Sequence, residues 1–245
     1  MTKTALTLLL AYASSTAFGA EYIQVVTENL KPLNYLENNE IKGSSTKIVR
    51  QLLSEAGLAS KFDVYPWARS YAMALNHKNT LIYTINRTPE RESKFKWIGL
   101  TAPKKYNSSL YRLKANQHIK ADNLDEAKPY TVGVNLGSVN HELLKSEGFK
   151  HISPVSQRSQ SVKMLMRQRV DLIVGSYPIL FEAFKKVGEP IEDIEVLLPF
   201  RVSQPYIAMS QQTSDELVEQ LKSAYEGLVL RGDIPDFNDP DYKAP

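Results

Sequence analysis

One arginine of this chain is placed where it could bind a carboxylate. Residues 80–84 are apolar, aromatic or β-branched and predict a short buried strand. Pro89 then forces the residue before it out of the helical region, and Arg91 follows two residues later. Arg91 is therefore expected just past the carboxyl end of a strand, which is the edge where open α/β sheets bind ligands.

The planar guanidinium group of Arg91 suits a carboxylate, because the two can form a bidentate pair about twice as strong as a neutral hydrogen bond. The alternative is a purely structural role, in which Arg91 pairs with one of three acids nearby in the sequence: Glu90, Glu92 or Asp63. The local residues leave both interpretations open.

The residues around Arg91 resemble a family signature. Thr88-x-x-Arg91 followed by Phe95-x-Trp97 is similar to the T-x-x-R and F-x-[FWY] elements of bacterial periplasmic solute-binding proteins of the amino-acid type, family 3. These proteins are associated with ABC transporters, and their arginine binds the α-carboxylate of the ligand. The resemblance implies the same role for Arg91.

The resemblance and the predicted strand ends together indicate further candidate ligand-binding residues in the first lobe: Glu28, Tyr35, Trp67, Arg69, Thr84 and Asn86. Glu28 follows the first predicted strand, where the family has an acidic residue, and Tyr35 matches a family ring that covers the ligand. Trp67 stands where the family has a ligand-covering apolar side chain. The alternatives are that Tyr35 packs on its own lobe, that Trp67 is a core residue and that Arg69 is merely solvated.

In the second lobe, Gly137 and Ser138 open a predicted helix, whose free N–H groups and hydroxyl form a ready site for an anion. The family reads Gly-[Ser/Thr]-[Ser/Thr] at this point and uses it against the ligand. The third place here is Val139, so one hydroxyl is missing. A plain helix N-cap would explain Ser138 equally well.

A second departure from the family concerns the ligand's ammonium group. Residues 169–174 resemble the G-R-x-D-A strand, after which many amino-acid binders carry an aspartate that pairs with that ammonium. By count, this place falls on Ser176, with Tyr177 after it as a further candidate. A neutral hydroxyl cannot balance an ammonium as a carboxylate does. The ammonium must then rely on Glu28 or be absent, although Ser176 could also simply cap the helix over 177–187.

The chain as a whole predicts an α/β protein with the two-lobed type II periplasmic binding fold, each lobe a mostly parallel sheet flanked by helices. Residues 1–19 predict a cleaved export signal, with Ala20 as the new terminus. Lobe 1 is expected to comprise residues 20–109 and 205–245, and lobe 2 residues 110–204. Two hinge strands, over 106–113 and 200–209, are expected to join the lobes and allow closure around a ligand.

Composition narrows the function classes. The chain has 30 Lys and Arg against 27 Asp and Glu and no basic stripe, which disfavours nucleic acid. It has no cysteine for a disulfide or a lipid anchor, and its 4 histidines lack the spacing of zinc ligands. No phosphate loop, dinucleotide fingerprint or nucleophile elbow occurs, so no cofactor, metal or catalytic residue is predicted.

The sequence therefore predicts a monomeric periplasmic protein, not inserted in the membrane. It would capture a small carboxylate-bearing solute, such as an amino acid, and deliver it to an ABC-transporter permease. Two alternatives stay open. A dehydratase-like enzyme on the same fold would need a general acid in the cleft, for which only Glu28 is placed. A soluble sensor would report the ligand to a membrane receptor.

Overall fold

The computed structural model describes residues 22–103 and 106–239. The predicted export signal and the predicted new terminus at Ala20 lie outside these residues. None of the helices in this described part of the chain combines the length and the apolar character that a bilayer crossing requires.

The first sheet has the strand order β4-β1-β5-β12-β6. Its strands are β1 (Ile23–Thr27), β4 (Ser60–Val64), β5 (Thr80–Asn86), β6 (Phe95–Leu100) and β12 (Pro205–Ser210). Strands β4, β1 and β5 run parallel, whereas β12 runs antiparallel to both β5 and β6. Nearly all of β5 is buried, as is typical of a strand covered by helices on both faces.

Side chains that alternate along the strands bury opposite faces of this sheet. Val25 packs with α1 (Ser44–Glu55) and α8 (Asp215–Leu230), and its neighbour Val26 packs with α2 (Trp67–Asn76) on the other face. A small hairpin of β2 (Tyr35–Glu37) and β3 (Glu40–Lys42) and the single-turn helix α3 (Pro89–Glu92) complete this lobe.

The second sheet has the order β11-β7-β10-β8-β9. Its strands are β7 (Tyr106–Leu113), β8 (Val132–Asn135), β9 (Ile152–Val155), β10 (Leu172–Gly175) and β11 (Ile194–Ser203). Strands β8, β9 and β10 are parallel, and β7 runs antiparallel to β10 and β11. The helices are α4 (Leu124–Ala127), α5 (Val139–Ser146), α6 (Arg158–Met166), α7 (Tyr177–Val187) and a 3-10 turn (Ile191–Asp193). Helices α6 and α7 cover one face, and α4 and α5 the other.

The chain passes between the sheets at shorter segments than the sequence predicts. Strand β7 pairs with β10 and β11 and belongs to the second sheet over its whole length, so the first passage precedes Tyr106. The return lies between Ser203 and Pro205. An extended segment without Gly or Pro looks alike in sequence whether it crosses between lobes or pairs within one, because the pairing partners lie far along the chain.

A candidate solute-binding site between the lobes

A cavity of about 70 Å³ lies where the two lobes meet. Most of the predicted ligand-binding residues line it: Glu28, Trp67, Thr84, Asn86, Arg91, Ser138 and Ser176. A larger space of about 590 Å³ shares Glu28, Trp67 and Arg158 with this cavity. The carboxyl-end edges of both sheets thus contribute to one cleft, as expected for open α/β sheets.

Arg91 is held rigidly at one end of the cavity. Thr88 has extended backbone and Pro89 opens α3, so the helix delivers Arg91 inward, and only 1 % of the residue is exposed. Its guanidinium carbon lies 4.8 Å from the ring centre of Tyr71 and 5.7 Å from that of Trp67. These rings attract the cation and fix its plane.

The partner of Arg91 comes from the other lobe. Its Nε donates to Oε2 of Glu142 at 3.0 Å, and its Nη2 lies 2.7 Å from the same oxygen. Nη2 also donates to the carbonyl oxygen of Gly137 at 3.3 Å. Two of the three acids considered from the sequence have other partners, since Glu92 binds Arg87 and Asp63 binds Gln24 and Lys61, while Glu90 and Arg91 act on each other through their charges.

A second arginine adds positive charge near Arg91. Burial lowers the pKa of Arg201, and the charge of Arg91 lowers it further, while Glu90 and Glu142 act in the opposite direction. The two guanidinium groups are therefore close enough to repel each other. Two cations and two anions therefore meet at this end of the cleft.

Glu28 lies at the other end of the cavity, with only 8 % of the residue exposed. Its two carboxylate oxygens accept from Arg158, Oε2 from Nη1 at 2.7 Å and Oε1 from Nη2 at 3.2 Å. Asn135 also donates to Oε2 at 3.4 Å. Arg158 is the first residue of α6, so this bidentate pair again joins the two lobes.

Trp67 forms a neutral bridge between the lobes. Its indole Nε1 donates to the carbonyl oxygen of Gly137 at 2.7 Å. Gly137 has a φ of +67°, which favours glycine, and its N–H donates to Nδ1 of His141 at 3.1 Å. Burial lowers the pKa of His141, with a smaller contribution from Lys145, which keeps Nδ1 free to accept. Ser138 caps α5 as predicted, accepting from the N–H of His141.

Thr84 occupies an unusual backbone position. Its φ is +62°, and it is the extra residue of a bulge where β5 and β12 shift register. A β-branched residue in the left-handed region is strained, and a bulge redirects the side chain. Thr84 donates to Oδ1 of the fully buried Asn34 at 2.6 Å, and Asn34 donates to Thr27 and to the carbonyl oxygen of Glu28.

Three buried polar atoms of the cavity lining have no hydrogen-bond partner among the described residues: Oδ1 of Asn86, Oδ1 of Asn140 and Oγ of Ser176. Ser176 occupies the N-cap position of α7, yet its hydroxyl makes no capping bond. Unpaired buried polar groups cost free energy, so such atoms in a cavity wall suit a ligand that hydrogen-bonds to them.

Three predicted residues lie away from the cavity lining. Tyr35 is half-buried in β2 with the Lys31 ammonium 4.8 Å from its ring centre, and Arg69 is exposed with its guanidinium carbon 4.1 Å from the ring centre of Tyr65. Tyr177 at the start of α7 is 54 % exposed. Their predicted roles in ligand binding stay predictions.

Sequence reasoning missed two residues of the cavity lining, Asn140 and Arg158, and two residues that hold lining side chains, Asn34 and Glu142. Two carried a readable signal. Glu142 lies one turn after the predicted cap Ser138, and Arg158 begins a helix directly after a parallel strand, so both follow strands that end at the cleft. Among the described residues, no group of His, Asp and Glu is arranged to hold a metal ion.

Two α/β lobes that build one cleft from their facing edges define a solute-binding protein with the type II periplasmic binding fold. The sequence model of the bacterial extracellular solute-binding proteins, family 3, matches residues 23–235, and the chain belongs to this family. A search of curated protein sequences finds no significant match.

Solved structures show the same fold. A histidine kinase sensor domain with similarity to periplasmic binding proteins superposes with a TM-score of 0.75 at 13 % identity, covering 87 % of this chain and 92 % of that one. A mutant of ArgBP from T. maritima gives 0.70 at 16 %, covering 86 % and 91 %. The arginine-, lysine-, histidine-binding protein ArtJ from Geobacillus stearothermophilus gives 0.69 at 17 %, covering 92 % and 97 %.

Proposed function

We propose that this protein captures a small carboxylate-bearing solute, an amino acid or a related compound, between its lobes. We propose further that it acts in the periplasm as a monomer and delivers the solute to the permease of an ABC transporter. The observation that carries the proposal is Arg91, a buried guanidinium that lines the cavity and already binds a carboxylate of the other lobe. Family membership supports the role of solute binder, and ArtJ is an amino-acid-binding relative in fold.

The remaining wall residues refine the solute class. Glu28 and Arg158 neutralise each other, so Glu28 has no charge to spare for an ammonium group. The unpaired atoms of Asn86, Asn140 and Ser176 are neutral and suit hydrogen-bonding groups of the solute. We therefore favour an organic acid, or an amino acid whose amino group is modified, over a free polar amino acid. Trp67, Thr84 and Ser138 would complete the walls.

The test starts with a thermal-shift screen of amino acids, small peptides and organic acids, followed by calorimetry with the best solute. Truncating one partner of a buried charged pair costs about 2–5 kcal/mol, so Arg91→Ala should weaken binding more than tenfold. Arg87→Ala is the matched control, because Arg87 lies close in sequence but binds the exposed Glu92 outside the cavity lining. Normal binding by Arg91→Ala would refute the carboxylate role.

A sensory role is the second candidate, because a histidine kinase sensor domain has the same fold at a TM-score of 0.75. Transport and sensing differ in the step after solute binding. Loss of the gene should abolish uptake of the labelled solute if the protein serves a transporter, and should leave uptake intact if it serves a receptor. The enzyme alternative is less favoured, because both oxygens of Glu28 accept from Arg158. Turnover of the solute by the purified protein would revive it.

A further inference from the structure

One edge of the Arg91 guanidinium already binds a carboxylate of the protein. Its Nε and Nη2, one of the two edges that a bidentate carboxylate can occupy, both lie within 3.0 Å of one oxygen of Glu142. Nη1 has a weaker contact, 3.5 Å from the carbonyl oxygen of Asn86. A solute carboxylate that takes the same edge must first displace the carboxylate of Glu142.

The two partners differ greatly in burial. The side chain of Arg91 is 1 % exposed, whereas that of Glu142 is 39 % exposed. A displaced Glu142 would regain water at little cost, but an unpaired Arg91 would remain a buried, uncompensated charge. Direct exchange of one carboxylate for another keeps Arg91 paired.

The contact also joins the two lobes. Arg91 belongs to α3 beside the first sheet, and Glu142 belongs to α5 beside the second. The same carboxylate that competes with the solute therefore also bridges the cleft. A solute that replaces it must restore a bridge, and the hydrogen-bonding atoms of Asn140 and Ser176 in the second lobe are positioned in the cavity wall to supply one.

We propose that the carboxylate of Glu142 competes with the solute for Arg91. It thereby sets both the affinity and the charge selectivity of the site. This inference rests on the proposed function, in which Arg91 binds the solute carboxylate. A singly charged anion can exchange with Glu142, but a neutral isostere cannot, because it offers Arg91 less than the carboxylate it would replace.

The test uses the two tryptophans as reporters. The indole N–H of Trp67 donates into the cleft, and that of Trp97 donates to the carbonyl oxygen of Glu92 outside the cavity lining. The probes are acetate, propionate and butyrate, with acetamide, propionamide and butyramide as uncharged isosteres. They are titrated into ¹⁵N-labelled protein, and the indole signal of Trp67 gives the Kd while that of Trp97 serves as reference.

Glu142→Gln should bind the carboxylates about tenfold more tightly than the unmodified protein and should also bind the amides more tightly, because a charge-assisted competitor has become a neutral one. Glu142→Ala, which leaves no acceptor for Arg91, should gain at least as much. Glu147→Gln is the matched control, since it removes an exposed charge at the other end of α5 and should change nothing.

The outcomes separate the two proposals. If Arg91→Ala abolishes binding of the screened solute but Glu142→Gln binds the carboxylates no better than the unmodified protein, only the role of Glu142 is refuted. No gain for the amides in either Glu142 variant, or no shift of the Trp67 signal with any probe in these variants, would refute it too. Arg91→Ala binding the screened solute normally refutes the proposed function itself.

Discussion

The two ends of the cleft are each closed by an ion pair between the lobes, and the pairs have opposite polarity. At one end the first lobe supplies the cation, Arg91, and the second lobe the anion, Glu142. At the other end the first lobe supplies the anion, Glu28, and the second lobe the cation, Arg158. The four charges cancel, so the facing surfaces of the lobes complement each other without a solute charge.

The two pairs differ in how easily they can be exchanged. Glu142 is 39 % exposed and holds Arg91 through one oxygen, whereas Glu28 and Arg158 are 10 % and 22 % exposed and share two hydrogen bonds. A well-hydrated partner is cheap to release, and a buried bidentate partner is costly to separate. We therefore expect the Arg91 end to exchange with solute and the Glu28 end to stay closed as a fixed wall.

The largest effect is expected from reversing one charge at the fixed end. Arg158→Glu would place two carboxylates against each other in a largely buried contact, and separation of the lobes would relieve their repulsion. The radius of gyration from X-ray scattering should rise, and a second change, Glu28→Lys, should restore it by recreating the pair with its charges swapped. Arg167→Glu is the control, since Arg167 is exposed at the far end of α6.

Glu142→Gln should increase the radius of gyration less than Arg158→Glu, because only the partly hydrated partner of the exchangeable pair loses its charge. If the two variants increase the radius of gyration equally, the two ion pairs do not differ in solution in the way that their burial suggests.

A smaller and selective effect is expected from Ser176→Asp. The hydroxyl of Ser176 is buried in the cavity wall without a partner, so a carboxylate there adds the anionic counter-charge that Glu28 does not provide. The variant should gain affinity for free α-amino acids over their N-acetyl forms in calorimetry. If the unmodified protein already prefers free amino acids, and Glu28→Gln leaves that preference unchanged, the interpretation of Ser176 is wrong.

The smallest effect is expected at the turn that both Arg91 and Trp67 contact. Burial lowers the pKa of His141 below its usual 6.5, so the unfolded chain binds the proton more readily than the folded one. Stability from this residue is therefore complete above pH 6.5 and decreases as the pH falls toward the lowered folded value. His141→Asn keeps an acceptor near Gly137 but does not titrate. Between pH 7.5 and pH 5, the Tm of both proteins is measured. The Tm of the unmodified protein should fall further than that of the variant, by about 2 °C or less. An equal fall in Tm for both proteins would show that His141 does not contribute to the pH dependence of stability.

Several features of the site were predictable because they are encoded within a few neighbouring residues. The buried run 80–86, Pro89 and the anchors Phe95 and Trp97 determine where Arg91 emerges, and the structure brings it to the cavity. The cap at Ser138 follows from the same local logic, since a glycine and a hydroxyl before an amphipathic run begin a helix. The family and its two-lobed fold were likewise recognised from motifs of this length.

The sequence by itself determined which side chains each strand end presents, because strand ends, helix caps and proline constraints act over short distances. Only the tertiary structure decided what those side chains bind. Arg91 binds Glu142, which lies 51 positions further along the chain, and Glu28 binds Arg158, which lies 130 positions further along. No local pattern links such partners, since they face each other only when two separately built sheets come together across a cleft. The charge balance of the site is for that reason a property of how the lobes close.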